Sequence, residues 1–257
     1  MVIREPEQVA FGTLAEFAAR TGTSGTTVLR LAAKLGFDGF GPMQTKVQDD
    51  LVRRLRPAQR IRERGPSDPV SQSLASEIDN LHATFDSVDR VKFASAVRKV
   101  ALCPGRVLVM PAECAAGVGE VIADQLSTLR DGVVLVRGNA VRLGKIIGQV
   151  SSRDTALVFD QRRYDRWLLQ ALDIVSHAGA YVAAFSDSPL SPLAAVADAS
   201  FTVNSAGPGP FESQVTTLAL GQALVAAVSA HLAATAATRL DRAETNWAAM
   251  QALSEED

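Results

Sequence analysis

Cysteine is nearly absent. Cys103 and Cys114 are the only two in 257 residues, too few for the disulfide framework of a small secreted domain and consistent with a reducing compartment. Histidine is equally sparse. His82, His177 and His231 are far apart and none stands at a ligand spacing from either cysteine, so neither a metal site nor a cofactor is expected. Trp167 and Trp247 are the only tryptophans and read as core or interface residues. Long apolar runs are also missing. The alanine-rich stretch near 215–237 comes closest, but Gln222, Ser229 and His231 interrupt it, and it reads as a buried helix, not a membrane span. A basic-then-apolar leader with a cleavage site is lacking, which predicts a cytoplasmic location and no membrane partner. No Walker loop, dinucleotide fingerprint or Ser/His/Asp order is found either.

What is present is ordinary globular composition, 47% hydrophobic and 21% charged, in a chain long enough for two domains. Charge is distributed unevenly. Residues 1–64 carry a net +4 and the remainder a net −6, giving the overall −2. The basic part contains the most patterned stretch in the chain, Leu14 to Phe40. There Leu14, Phe17 and Ala18 recur on one helical face, and so do Val28, Leu31, Ala32 and Leu35. Between them Thr21-Gly22-Thr23-Ser24 supplies a residue free to take positive φ and then a hydroxyl able to cap the next helix. Two helices so joined cross steeply, as in a helix-turn-helix. The second would present Ser24, Thr26, Thr27, Arg30 and Lys34 away from the core, small groups first and then cations able to reach phosphates or base edges. Spacing alone is satisfied equally by a plain core hairpin.

The run LAEFAARTGTSGTTVLRLAAKLGFDGF closely resembles the N-terminal helix-turn-helix of the RpiR family of bacterial transcriptional regulators. The match includes an S-x-x-T-V-x-R start at Ser24, Thr27, Val28 and Arg30, and an ending at Lys34-Leu35-Gly36-Phe37-Asp38-Gly39-Phe40. The resemblance implies operator DNA as a partner. In that family another helix usually precedes the hairpin. Only Met1 to Gly12 stand before it here, with Pro6 among them, so a truncated first helix is expected.

Beyond the hairpin, residues 44–64 are patterned as a helix, with Val47, Leu51 and Leu55 on one face and arginines crowding its end at 53, 54, 56, 60, 62 and 64. Pro57 should break or kink it. Gly65-Pro66-Ser67-Asp68-Pro69 marks the clearest boundary. The expected division is therefore 1–64 for the DNA-binding domain, 65–72 for a linker and 73–257 for a second domain. Residues 70–100 read as one long or broken helix. Strands are then expected at 106–110, 133–136, 155–159, 180–185 and near 201–203. Helices follow through Leu129 and over 140–150, 163–178 and 211–236. Short strands separated by crossover helices imply a parallel, doubly wound sheet, with ligands beyond the carboxyl ends of its strands.

Those strand ends carry Glu113-Cys114-Ala115 before Gly117 and Gly119, then Asp160-Gln161-Arg162-Arg163-Tyr164-Asp165, then Ser186-Asp187-Ser188. The backbone opening a helix near 113–115 could hold an anion, or the glycines could serve close packing alone. Ser186 to Asp198, SDSPLSPLAAVAD, looks very like the matching stretch of a sugar isomerase (SIS) domain, which RpiR regulators carry after their DNA-binding part. Phe211-Glu212-Ser213 would then open the last helix, with Glu212 at the position of a catalytic base in enzymes of this fold. Phosphate-holding SIS domains typically show S-x-S-G-x-T after the third strand. An ungapped alignment puts Asp160, Arg162, Arg163 and Asp165 at the Ser, Ser, Gly and Thr positions, so the usual cradle is absent. The site could take a different ligand through Arg162 or Arg163, be a relic, or have become a protein contact.

The expected protein is thus an N-terminal all-α helix-turn-helix domain followed by an α/β, doubly wound parallel-sheet SIS-type domain. It would be a regulator without enzymatic activity. Its second domain would sense a small molecule, a sugar phosphate or other anion, and pair the chain into a homodimer or higher homo-oligomer. The alternatives are a sugar-phosphate isomerase-like enzyme and a ligand-independent DNA-binding dimer.

Overall fold

A computed structural model describes residues 9–10, 12–53, 61 and 68–252. The arginines and prolines at 54–60 and 62–67, Pro6 and the boundary Gly65-Pro66-Ser67 lie outside these, as do the side chains of residues 46 and 48–53. The chain forms two compact units, residues 1–72 with 207–212, and residues 73–206 with 213–257.

In the first unit, α1 spans Leu14–Arg20, α2 Gly25–Lys34 and α3 Phe40–Arg53. Thr13 and Glu16 make a reciprocal capping box at the start of α1: each backbone N–H is answered by the other's side chain, which satisfies two orphan donors. Gly22 takes φ +64° and lets the chain turn after α1, with its own N–H and that of Thr23 closing on the carbonyls of Ala19 and Ala18. Ser24 then caps α2 through the Thr27 N–H. Phe17, Ala18, Val28, Ala32, Phe40, Met43 and Val47 are buried together, and the Phe17 and Phe40 rings lie 6.2 Å apart. Leu31 is not part of this core; it is 37% exposed.

Helix α4, Pro69–Ser87, carries the chain into the second unit at residue 73, and α5, Arg90–Ala101, follows. Of the one long or broken helix expected over 70–100, the broken form is found: Asp89 caps the second helix, accepting the N–H groups of Val91 and Lys92. There follow β1 (Val107–Pro111), a 3-10 turn at Glu113–Ala115, and α6 (Ala116–Leu129). Next come β2 (Val133–Leu135), α7 (Ala140–Ile147), β3 (Thr155–Phe159), α8 (Arg166–His177), β4 (Tyr181–Ser186) and β5 (Ala199–Thr202). The C-terminal helices are α9 (Val215–His231) and α10 (Ala233–Met250). One continuous helix over 211–236 does not form. Helix α9 begins only at Val215, and α9 and α10 meet at a 103° bend.

All five strands are parallel in the order β2-β1-β3-β4-β5. Successive side chains alternate between faces, so each strand feeds two cores. Val107, Val109, Leu157, Phe159 and Phe185 pack with α5, α6 and α9, whereas Leu108, Met110, Ala156, Val158 and Ala184 pack with α7 and α8. Helices on both faces make the sheet doubly wound. The scarce aromatics are concentrated here: Phe159 stacks on Phe185 at 4.7 Å and Phe185 meets Phe201 at 5.2 Å, one ring on each of three adjacent strands. Full burial of each contributes roughly 2–3 kcal/mol. Leu224 and Val228 are also core residues, with Leu218 and Val225 packed against them. Because the strand order reverses between β1 and β3, their carboxyl ends flank the crevice where such folds hold ligands. Among the described residues no single helix is long and apolar enough to cross a membrane.

Candidate functional site

Two surfaces gather the chemistry. On the first unit, Thr26, Thr27, Arg30 and Lys34 are all exposed on one side of α2, while Val28 and Ala32 on the other side are buried. Ser24 is exposed at the helix start but committed to structure: its oxygen accepts the Thr27 N–H and lies 3.0 Å from the Thr27 hydroxyl. The face therefore offers two hydroxyl-bearing side chains in the first turn of α2 and two cations farther along it, Arg30 in its middle and Lys34 in its last turn.

On the second unit the site lies at the carboxyl ends of β1, β3 and β4. The Ala112 N–H donates to the Phe159 carbonyl at 2.8 Å, fastening the end of β1 to the end of β3. The chain then turns into the 3-10 segment and α6, which leaves the first N–H groups without partners inside the helix. One of them is taken from a distance: the Glu113 N–H donates to Asp165 Oδ2 at 2.8 Å. Asp165 precedes α8 but does not cap it with its side chain. Its own N–H donates to Asp160 Oδ2 at 2.9 Å.

Asp160 is only 1% exposed. Burial pushes its carboxyl up to about 7; the nearby Asp165 and Asp187 charges add to this, and the N–H groups of Asp165 and Gln161 oppose it. The Cys114 thiol lies 3.8 Å from Asp160 Oδ1. Although the Cys114 residue is exposed, desolvation of the sulfur, aided by the Asp160 and Asp165 charges, raises it to about 11. A helix start usually lowers a thiol; here desolvation, with the carboxylates behind it, reverses that, and Cys114 is a poor nucleophile.

Around this pair the lining is hydroxyl, amide and carboxylate. The Tyr164 hydroxyl donates to Asp187 Oδ1 at 2.8 Å, and desolvation and then the Asp187 charge keep the phenol well above its ordinary range. Ser186 and Asp187 are buried. Gln161, 1% exposed, donates to Thr217 at 2.7 Å and accepts from Gln214 at 2.9 Å. Arg162 is half-buried and Arg163 exposed. Glu113 is exposed at the rim, 4.0 Å from Arg137, whose main ion pair is with Glu120.

The expected residues are thus partly assembled. Glu113, Cys114, Asp160 and Asp165 converge through the contacts just given, and Ser186 follows on the adjacent strand. Ala115 is buried in the core, so its side chain is closed to a ligand. Glu212 does not open α9: Gln214 is the residue just before that helix, its side chain turned to Gln161, and Glu212 lies in the preceding segment, grouped with the first unit. The sequence reading missed Gln161, Tyr164 and Asp187. Their signal was position, since each falls within six residues after β3 or directly after β4. Among the described residues no cluster of three or more metal-ligating side chains occurs.

Residues 103–227 match the SIS domain family, and the sheet with its flanking helices is an SIS-like fold. The sugar isomerase domain of an RpiR transcription factor from Sphaerobacter thermophilus superimposes with a TM-score of 0.63 at 23% identity, over 68% of this chain and 97% of that one. The Vibrio vulnificus NanR protein, in a complex with ManNAc-6P, gives 0.61 at 19% identity over 99% of this chain and 91% of its own. A phosphoheptose isomerase from Francisella tularensis gives 0.53 at 13% identity, over 62% and 96%. No curated protein matches the sequence.

Proposed function

We propose that this chain is a cytoplasmic DNA-binding transcriptional regulator. Its α1–α2 hairpin reads operator DNA, and its SIS-type unit senses a small molecule at the ends of β1, β3 and β4. The observation that carries this is α2: Thr26, Thr27, Arg30 and Lys34 are uncovered while the opposite face is buried, the arrangement a recognition helix needs. The likeness to NanR, which spans 99% of this chain and is bound to a sugar phosphate, supports the pairing of such a hairpin with a ligand-sensing unit. Acting as a homodimer, the protein would place two hairpins on two half-sites. A ligand that binds one arrangement of the pair better would shift operator affinity by its differential binding. The chain is read as a regulator and not an enzyme because Asp160, Arg162, Arg163 and Asp165 stand where a phosphate-holding hydroxyl cradle would be, and Glu212 is not at the helix start.

The test is binding of the purified protein to its own upstream DNA across a salt series, with Arg30→Ala beside the wild type. The expected result is specific binding that weakens with salt. Arg30→Ala should cost about 1–3 kcal/mol, roughly 5- to 150-fold, and a phosphate contact would also reduce the salt slope by about 1. Absence of specific binding, or an unchanged Arg30→Ala variant, would overturn the regulator. One observation favours a second reading: Asp160 holds a proton near neutral pH, as an acid–base group must. Sugar-phosphate isomerisation abolished by Asp160→Asn would put the enzyme first.

A further inference from the structure

We infer that Asp165 determines ligand specificity by occupying, with its own carboxylate, the anion position at the start of the α6 helical segment, so that the site rejects phosphate. This takes from the proposed function only that ligands bind at these strand ends; it does not depend on DNA.

Four observations carry it. The Glu113 N–H lies at the reversal between β1 and β3, at the N-terminal end of a helical run that continues to Leu129, where open α/β sheets bind anions. That N–H is already bonded to Asp165 Oδ2, from a residue 52 positions away. Asp165 gives no side-chain cap to its own helix, so its carboxylate is committed to the other strand's end. Its position is fixed in turn by its N–H on the buried Asp160.

A carboxylate so held mimics one edge of a phosphate. Being tethered, it competes at an effective concentration on the order of millimolar or more. A phosphate entering the crevice would have to displace it and then sit beside Asp165 and Asp187, two like charges in a poorly solvated place. The ligands left to the site are polar molecules without a phosphate, whose hydroxyl or amino groups can donate to carboxylates.

The test uses the full chain and inorganic phosphate at pH 7, with ionic strength matched by chloride, read as thermal shift and calorimetric binding. The wild type should show no saturable binding. Asp165→Ser, which vacates the Glu113 N–H, should gain about tenfold or more in affinity, from one charge-assisted hydrogen bond freed and one like charge removed. Asp165→Asn keeps the acceptor but not the charge and should gain less. Saturable phosphate binding by the wild type, or a folded Asp165→Ser chain that binds no better, would overturn the inference. So would rapid hydrogen exchange of the Glu113 amide in the wild type, a measurement that needs no variant: this amide should be protected, and phosphate should leave it unchanged. None of these results bears on operator binding, so failure here leaves the regulator reading standing.

Discussion

Replacing Asp160 by Asn should stabilise the protein at neutral and alkaline pH and do almost nothing in acid. The side chain is 1% exposed and its carboxyl is raised to about 7, against an ordinary aspartate value of about 3.9. In the unfolded chain this group loses its proton near pH 4, whereas the folded chain holds it to about 7. The folded state therefore binds the extra proton throughout that window, and stability falls as pH rises from about 4 to about 7, then levels off. The full span corresponds to about 4 kcal/mol at 1.36 kcal/mol per pH unit. Relaxation of the neighbouring Asp165 and Asp187 side chains and entry of water reduce this, leaving roughly 2 kcal/mol as the expected penalty. Asn is nearly isosteric and keeps an oxygen for the Asp165 N–H, so it removes the penalty with little repacking. Urea unfolding of both proteins from pH 4.5 to 8.5 is the assay, because other titrations cancel in the difference between them. Near pH 4.5 the two should coincide. At pH 8 the variant should be more stable by about 2 kcal/mol, about 4–8 °C in Tm for a domain of this size. A difference independent of pH, or an Asn variant less stable at pH 8, would refute the reasoning.

Gly119→Ala should destabilise the second unit by about 1–3 kcal/mol, since the added Cβ would meet the Pro111 ring, its Cβ at 2.6 Å and its Cγ closer still. Gly117→Ala, which meets nothing within 4 Å, should be neutral or slightly favourable in the same melts. Asp154 is 4% exposed and accepts the N–H groups of Arg106 and Ser151 at 2.6 and 2.8 Å, with the Arg106 guanidinium at 3.3 Å. Burial works against its ionisation, but these bonds together outweigh it and hold the carboxyl below its usual range. Its stabilisation is therefore complete above about pH 4 and lost as pH falls through the lowered value. Asp154→Asn should cost about 2–3 kcal/mol at pH 7, with the gap from wild type closing in acid; a gap that persists at pH 2–3 would assign the loss to packing.

The sheet was legible because its strands are short, mostly apolar and separated by helical patterns. Thr155–Phe159, buried at every position, was placed to the residue. Boundaries were left open where a single polar side chain decides them. Asp89 makes the break within the one long or broken helix expected over 70–100, capping its second part through two hydrogen bonds that hydrophobic spacing does not register. The bend near Leu232 falls in an alanine-rich stretch that is helical on either side, so composition gives no sign of it. The hairpin was readable from Gly22 and Ser24, but its capping box, Thr13 with Glu16, stood in plain spacing. The glycines after β1 show a finer limit: sequence offered Gly117 and Gly119 as equals, and only the path of the chain past Pro111 makes Gly119 the tight contact.

The site itself was half legible, and the reason lies in how it is built. A missing hydroxyl cradle can be read from Asp160, Arg162, Arg163 and Asp165 as letters, but what replaces it depends on a contact between residues 113 and 165. The fold leaves a donor at the end of β1 that must be satisfied by something. A phosphate-binding loop answers it with a ligand and leaves it open between visits. Here the loop after β3 answers it with the Asp165 carboxylate, whose charge also adds to the rise that burial imposes on Asp160 and on the Cys114 thiol. Burial remains the main reason that Asp160 keeps a proton near neutral pH, and the Asp165 charge is a secondary one. Asp165→Ser should accordingly open the site to phosphate and, by removing one like charge, lower the pH at which Asp160 ionises by part of its rise, the part due to burial remaining; an Asp160 titration unchanged by the substitution would show that the Asp165 charge is not felt there.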